Sequence, residues 1–137
     1  MSKAFGEADA SFQAAGGEAG LRTLVDAFYD EMAANPAYQR ILHMHPEDLE
    51  ESRDKLARFL CGWLGGPRRY SEKYGSLNIP TAHAHLAVDA EARDGWLACM
   101  AHAVEQQPWS REFKDYLLQA LHVPAEAIRL RVEKSNG

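Results

Sequence analysis

A chain of 137 residues is long enough for one domain with a full hydrophobic core. Its apolar fraction of 46% and charged fraction of 26% are typical of a soluble globular protein, and its net charge of −5 argues against a nucleic-acid partner. No stretch approaches the ~20 apolar residues of a membrane span, and the first residues lack the pattern of a secretion signal. Cys61 and Cys99 lie in amphipathic segments, which is typical of reduced thiols and predicts a cytoplasmic protein.

Helical periodicity organises the first half of the chain. Gly16, Gly17 and Gly20 predict a sharp turn between a short first helix and a longer second one. The second helix is predicted by apolar residues spaced three and four apart: Leu21, Leu24, Val25, Phe28, Tyr29 and Met32. A third helix is predicted to begin at Pro46 and to end at residues 65–67, "GGP". Its apolar face comprises Leu49, Leu56, Phe59, Leu60, Trp63 and Leu64.

The next segment, residues 68–82, has weak periodicity and contains the helix breakers Gly75 and Pro80. We therefore predict an extended loop there, and loops of this length in compact domains are usually functional. Asp89 is a candidate N-cap for the helix that follows. One side of that helix carries Trp96, Leu97, Met100 and Val104.

The last helix is predicted to begin near Pro108 and to kink or restart at Pro124. We expect residues 1–10 to form a short N-terminal extension and residues 133–137 a frayed tail. No segment shows the alternating pattern of a β-strand, and no internal repeat is visible. The sequence therefore predicts a single all-α domain spanning residues 1–137.

His83 and His85 stand two positions apart ahead of the Asp89 helix. In a helix they would point about 200° apart, so only one of them can face inward. Leu86 and Ala87 follow His83 by three and four positions, which places His83 on the apolar face. From the pattern alone, an inward histidine is either a core imidazole bonded to a carbonyl or a metal ligand.

Two metal-binding hypotheses differ in what they require. A zinc site needs three or four ligands, and the six histidines form no H-E-x-x-H pattern. A haem iron needs one proximal histidine and a large apolar cavity. The apolar residues for such a cavity are present, although they would serve equally as plain core: Phe28, Leu56, Phe59, Leu60, Trp63, Leu86, Trp96 and Met100.

Three segments together resemble the truncated haemoglobins of group II. They are "AFYDEM" (27–32), "HPEDLEESRDKLARFLCGWLGGP" (45–67) and "HAHLAVDAEARDGWLACM" (83–100). The resemblance implies a two-over-two helical sandwich around haem b (iron protoporphyrin IX), with His83 as the proximal iron ligand. It implies a distal set of polar side chains, Tyr29, Trp96 and His45, on the ligand side of the haem.

The resemblance and the apolar pattern together predict the wider site. The expected haem pocket comprises Phe28, Ser52, Leu56, Phe59, Leu60, Trp63, Leu86 and Met100. The resemblance implies Lys55, Arg68 and Tyr70 as candidates for binding the haem propionates. Judged by pattern alone, Tyr29 and Trp96 are equally compatible with core packing. His45 is compatible with an exposed loop position or with a sixth iron ligand.

The function implied by this site is reversible binding of O2, CO and NO, as in oxygen transport. The alternative is a haem enzyme, an NO dioxygenase or a peroxidase, since distal donors would serve either chemistry. The sequence contains no flavin or nicotinamide motif, so such an enzyme would need an external reductase. A more remote alternative is a haem-free helical interaction module. The expected assembly is a monomer or a weak homodimer, without a membrane or nucleic-acid partner.

Overall fold

The computed structural model describes residues 5–75 and 89–136, with side chains described up to residue 130. Within these ranges the chain is helical and contains no strand. The helices are α1 (Ala10–Ala14), α2 (Gly17–Ala34), α3 (Gln39–Leu42), α4 (Glu50–Trp63), α5 (Arg69–Tyr74), α6 (Ala90–Glu105) and α7 (Arg111–Asn136), with a 3₁₀ turn at Pro36–Tyr38.

The helices form two packed pairs. Helix α2 packs against α4, α6 packs against α7, and α2 also packs against α6, which joins the two pairs. Their apolar faces meet in one core that includes the fully buried Phe28, Leu60, Met100 and Phe113. The predicted all-α class and two-over-two arrangement are confirmed. No helix within the described ranges is long and apolar enough to cross a membrane.

The turn between α1 and α2 depends on its glycines. Gly16 and Gly17 have φ angles of +87° and +70°, which side chains with a Cβ rarely adopt. A Cβ on Gly20 would lie 1.8 Å from the carbonyl oxygen of Ala15. The sharp turn predicted from these residues is confirmed.

Helix α4 begins later than predicted. Its first residue is Glu50 rather than Pro46, because the Asp48 side chain accepts a hydrogen bond from the Glu50 N–H at 3.0 Å and satisfies the first free donor. Glu50 and Glu51 then lie at the positive end of the helix dipole.

The predicted end of α4 is confirmed. Gly65 has a φ of +91° and donates to the Gly62 carbonyl at 3.1 Å. Gly66 donates to the Cys61 carbonyl at 2.8 Å. This pair of hydrogen bonds is a Schellman motif, in which glycine takes the left-handed position after the helix.

The prediction of an extended loop over residues 68–82 is wrong for its first half. Residues Arg69–Tyr74 form α5. Tyr74 and Lys73 both donate hydrogen bonds to Asp54 of α4, at 2.7 and 2.8 Å. These contacts with a distant part of the chain fix the helix, so its own weak periodicity did not reveal it. Residues 76–88 lie outside the described ranges.

Polar side chains determine where the last two helices begin. Asp89 accepts the Ala92 N–H at 2.9 Å, which confirms the predicted N-cap of α6. Helix α7 begins at Arg111 rather than Pro108, because Ser110 Oγ accepts the Phe113 N–H at 3.1 Å. Pro124 lies inside α7, which continues without a restart to Asn136. The frayed tail expected at residues 133–137 stays a prediction.

The N-terminal extension and the cysteines complete the core. The Phe5 ring lies 5.2 Å from Phe113 and 5.3 Å from Tyr116, so this residue packs on α7. Cys61 and Cys99 are buried free thiols, as predicted. Burial raises the pKa of Cys99 to about 12, so its thiol stays protonated and donates to the Phe28 carbonyl at 3.3 Å.

Candidate functional site

Tyr29 lies on α2 with its side chain almost fully buried, at 4% exposure. Its hydroxyl oxygen is 3.5 Å from His45 Nε2. Burial raises the pKa of Tyr29 above that of a free tyrosine, because the interior disfavours the phenolate. The side chain is therefore a neutral phenol with one proton to donate.

His45 follows α3 and is half-buried. Its Nδ1 lies 2.8 Å from the Ile41 carbonyl oxygen, which can only accept, so a neutral ring has its hydrogen on Nδ1. Nε2 is then an acceptor, and the Tyr29 hydroxyl donates to it. The two rings meet edge to face with their centroids 5.4 Å apart.

Trp96 lies on α6 and is half-buried. Its ring centroid is 5.2 Å from that of Phe28, and Phe28 is 4.9 Å from Tyr29, both at T-shaped angles. The fully buried Phe28 thus joins Trp96 of α6 to Tyr29 of α2. We refer to Phe28, Tyr29, His45 and Trp96 as the aromatic cluster, which contains all three side chains predicted for the distal set.

One side of α4 presents large apolar residues that the core covers only partly. Leu56, Phe59 and Trp63 are spaced three and four apart and are half-buried, and the Phe59 and Trp63 rings stack at 6.0 Å. Leu60 and Met100 are fully buried in the core. Of the other predicted pocket residues, Ser52 is half-buried in the first turn of α4.

These residues fit a haem group in the chemistry that they offer. A haem needs apolar walls for its ring and polar donors beside the ligand position. The half-buried side of α4 is apolar, and the aromatic cluster contains a phenol, an imidazole and an indole N–H, which between them can donate and accept hydrogen bonds. His83 and Leu86 lie outside the described ranges, so their proposed contacts with haem stay predictions.

The three propionate candidates lie on or directly beside α4 and α5. Lys55 Nζ is 5.3 Å from the centre of the Tyr74 ring and pairs with Glu51 at 3.5 Å. The Tyr70 ring lies 5.0 Å from the same Tyr74 ring. Arg68 is exposed and directly precedes α5.

Asp54 is a polar centre that the sequence did not reveal. Its side chain is 18% exposed and accepts hydrogen bonds from residues of three helices: Arg22, Arg58, Lys73 and Tyr74. Partial burial alone would raise the pKa of Asp54, but these donors together hold it well below its usual range. The only sequence signal was the Asp54–Arg58 spacing, which predicts a helical ion pair and no more.

The sequence pattern also gave no indication of where the Arg53 side chain lies. Its guanidinium carbon lies 5.7 Å from the centre of the Tyr29 ring. The guanidinium is paired with Asp30 at 2.8 Å and Asp26 at 3.2 Å, both on α2. Asp26 and Asp30 are four residues apart on α2, but no local sequence pattern indicates that one arginine of α4 pairs with both carboxylates.

Comparison with known proteins agrees with the fold. Residues 10–129 match the family model described as bacterial-like globin. Over 109 residues the chain is 34% identical to the group 2 truncated hemoglobin YjbI of Bacillus subtilis (strain 168), and the match covers 80% of each protein. The fold is similar to that of a group II 2-on-2 hemoglobin from Agrobacterium tumefaciens, with a TM-score of 0.84, 27% identity and coverage of 94% of this chain and 96% of the other. It is also similar to a truncated oxygen-avid haemoglobin from Bacillus subtilis, with a TM-score of 0.77, 31% identity and coverage of 86% and 97%.

Proposed function

Because the chain belongs to the bacterial-like globin family, as a truncated haemoglobin of group II, we propose that it holds haem b through His83 and captures O2 beside the aromatic cluster. The family implies a haem cofactor and small diatomic ligands. A bound haem would supply an iron that a histidine can hold and that can take O2, CO or NO. The observation that carries the proposal is the Tyr29–His45 hydrogen bond, in a cluster that also includes Trp96.

Tyr29 and Trp96 are the proposed donors to the captured ligand. A captured O2 would carry partial negative charge, and donors in a site of low dielectric would stabilise that charge more than water does. The neutral phenol of Tyr29 can turn its proton from His45 Nε2 to the ligand. The indole N–H of Trp96 can only donate. The description of one similar protein as oxygen-avid supports tight O2 binding here.

His45 has a different proposed task from the two donors. With its hydrogen directed to the Ile41 carbonyl, its Nε2 accepts from Tyr29 and orients the phenol while no ligand is present. Half-buried apolar residues of α4, Leu56, Phe59 and Trp63, would cover the haem ring and exclude water. We propose Lys55, Arg68 and Tyr70 as the groups that bind its propionates.

The test is the rate of O2 release from Tyr29→Phe, Trp96→Phe and the double variant. Each single substitution removes one donor and is expected to speed release by about twofold to tenfold. The double variant should release O2 roughly fourfold to a hundredfold faster, because the effects of two separate donors on the free energy add. Release from either single variant at the wild-type rate would contradict the proposal.

A further inference from the structure

Arg53 lies beside Tyr29 and is not one of the side chains proposed to contact the ligand. It lies on α4, with its side chain 22% exposed and its guanidinium carbon 5.7 Å from the centre of the Tyr29 ring. At this distance the cation is attracted to the electron-rich face of the phenol.

Two carboxylates of α2 fix the guanidinium in that place. One of its nitrogens, Nη2, pairs with Asp30 at 2.8 Å, and the other, Nη1, pairs with Asp26 at 3.2 Å and also reaches the Asp26 carbonyl oxygen at 3.3 Å. Asp26 and Asp30 are one helical turn apart on α2, and Tyr29 lies between them in sequence. Because two separate anchors hold its two arms, the guanidinium cannot leave the Tyr29 ring without breaking an ion pair.

A cation at this position changes the phenol as a hydrogen-bond donor. Burial raises the pKa of Tyr29, and the positive charge of Arg53 opposes that rise. A positive charge favours negative charge on the phenol oxygen, so it makes the O–H group more polar. The hydroxyl therefore donates more strongly to any acceptor, whether His45 Nε2 or a captured ligand.

We propose that Arg53 is a positioning residue for ligand capture, which holds the Tyr29 ring and strengthens the hydrogen bond that its hydroxyl donates to O2. The inference rests on the proposed function, because it requires Tyr29 to be a donor. It adds a fourth side chain, which lies over the Tyr29 ring, to the three predicted from the sequence.

A double-mutant cycle tests whether Arg53 acts through the Tyr29 hydroxyl. Arg53→Gln should speed O2 release by about twofold to fivefold in the wild-type protein. In a Tyr29→Phe background the same substitution should change the rate by less than about 1.5-fold, since no hydroxyl is left to strengthen. Arg53→Lys, which keeps a positive charge, should lie between the wild type and Arg53→Gln.

Arg58→Gln is the matched control. Arg58 lies on the same helix, is 23% exposed and pairs with Asp54, but does not contact Tyr29. It should release O2 at the wild-type rate. An equal acceleration by Arg53→Gln and Arg58→Gln, or an equal effect of Arg53→Gln with and without the Tyr29 hydroxyl, would overturn the inference. If Tyr29→Phe itself left the rate unchanged, the proposed function would fail instead.

A spectroscopic readout separates this role from a purely structural one. In the CO-bound protein labelled with ¹³C at the tyrosine ring carbon that carries the hydroxyl, the Tyr29 resonance is identified by its loss in Tyr29→Phe. Arg53→Gln should shift this resonance, because the nearby charge is removed, and Arg58→Gln should leave it in place. A Tyr29 resonance that does not move in Arg53→Gln would overturn the inference.

Discussion

The hydroxyl of Tyr29 has one proton, and the structure directs it to His45 Nε2 at 3.5 Å. His45 cannot return a proton from that nitrogen while its ring is neutral, because its hydrogen is on Nδ1 and directed to the Ile41 carbonyl. A ligand that accepts from Tyr29 must therefore displace His45 as the acceptor. In this arrangement His45 competes with the ligand for the proton of the Tyr29 hydroxyl and does not itself donate a hydrogen bond to the ligand.

This competition predicts the effect of a substitution at His45 on O2 affinity. His45→Phe removes the competing acceptor and keeps an aromatic ring, so O2 affinity should rise by about twofold, the value of one weak hydrogen bond. The measurement is the O2 dissociation constant, obtained from the association and release rates. A loss of affinity as large as that of Tyr29→Phe would mean that His45 donates to the ligand, contrary to a neutral ring with its hydrogen on Nδ1.

At the scale of the helices, Asp54 connects three elements of the fold. Its carboxylate accepts from Arg22 of α2, from Arg58 of its own helix α4 and from Lys73 and Tyr74 of α5. Helix α5 is only six residues long, which is too short to be stable alone. Its position beside α4, where the propionate candidates lie, therefore depends on the hydrogen bonds that its own Lys73 and Tyr74 donate to Asp54.

Asp54→Asn is expected to lower the free energy of unfolding at pH 7 by about 1–3 kcal/mol, because several donors lose a charged acceptor. The pKa of Asp54 is lowered in the folded protein, so its contribution is complete above the pKa of an unfolded aspartate, about 3.9, and is lost as the pH falls further. Urea unfolding between pH 7 and pH 3 should therefore show a smaller loss of stability on acidification for Asp54→Asn than for the wild type.

The matched control for this prediction is Asp115→Asn. Asp115 is 66% exposed and pairs with Arg111 in the same helix, an arrangement that contributes little to stability. Its pH dependence should follow that of the wild type. If acidification lowered the free energy of unfolding by the same amount in Asp54→Asn and in the wild type, the charged Asp54 side chain would not stabilise the fold as the structure indicates.

At the scale of the whole molecule, the sequence predicted what local spacing determines. The apolar positions of α2, the glycine end of α4 and the Asp89 cap of α6 each depend on residues within a few positions of one another. Helix α5 and the place of Arg53 depend on partners 19 to 27 residues away along the chain, so no local pattern revealed them. The proximity of Tyr29, His45 and Trp96 was predicted through the family resemblance, because spacing alone left each compatible with simple packing.

The spectrum of the reduced protein under argon, air and CO is the measurement on which the haem assignment depends, with His83→Gly compared with His85→Gly. The wild type and His85→Gly are expected to hold haem and to change their absorption when O2 or CO is added. His83→Gly should lose this behaviour and regain it with added imidazole, which can replace the missing side chain on the iron. A His83→Gly protein with the wild-type spectra and no need of imidazole would contradict the assignment of His83 as the iron ligand.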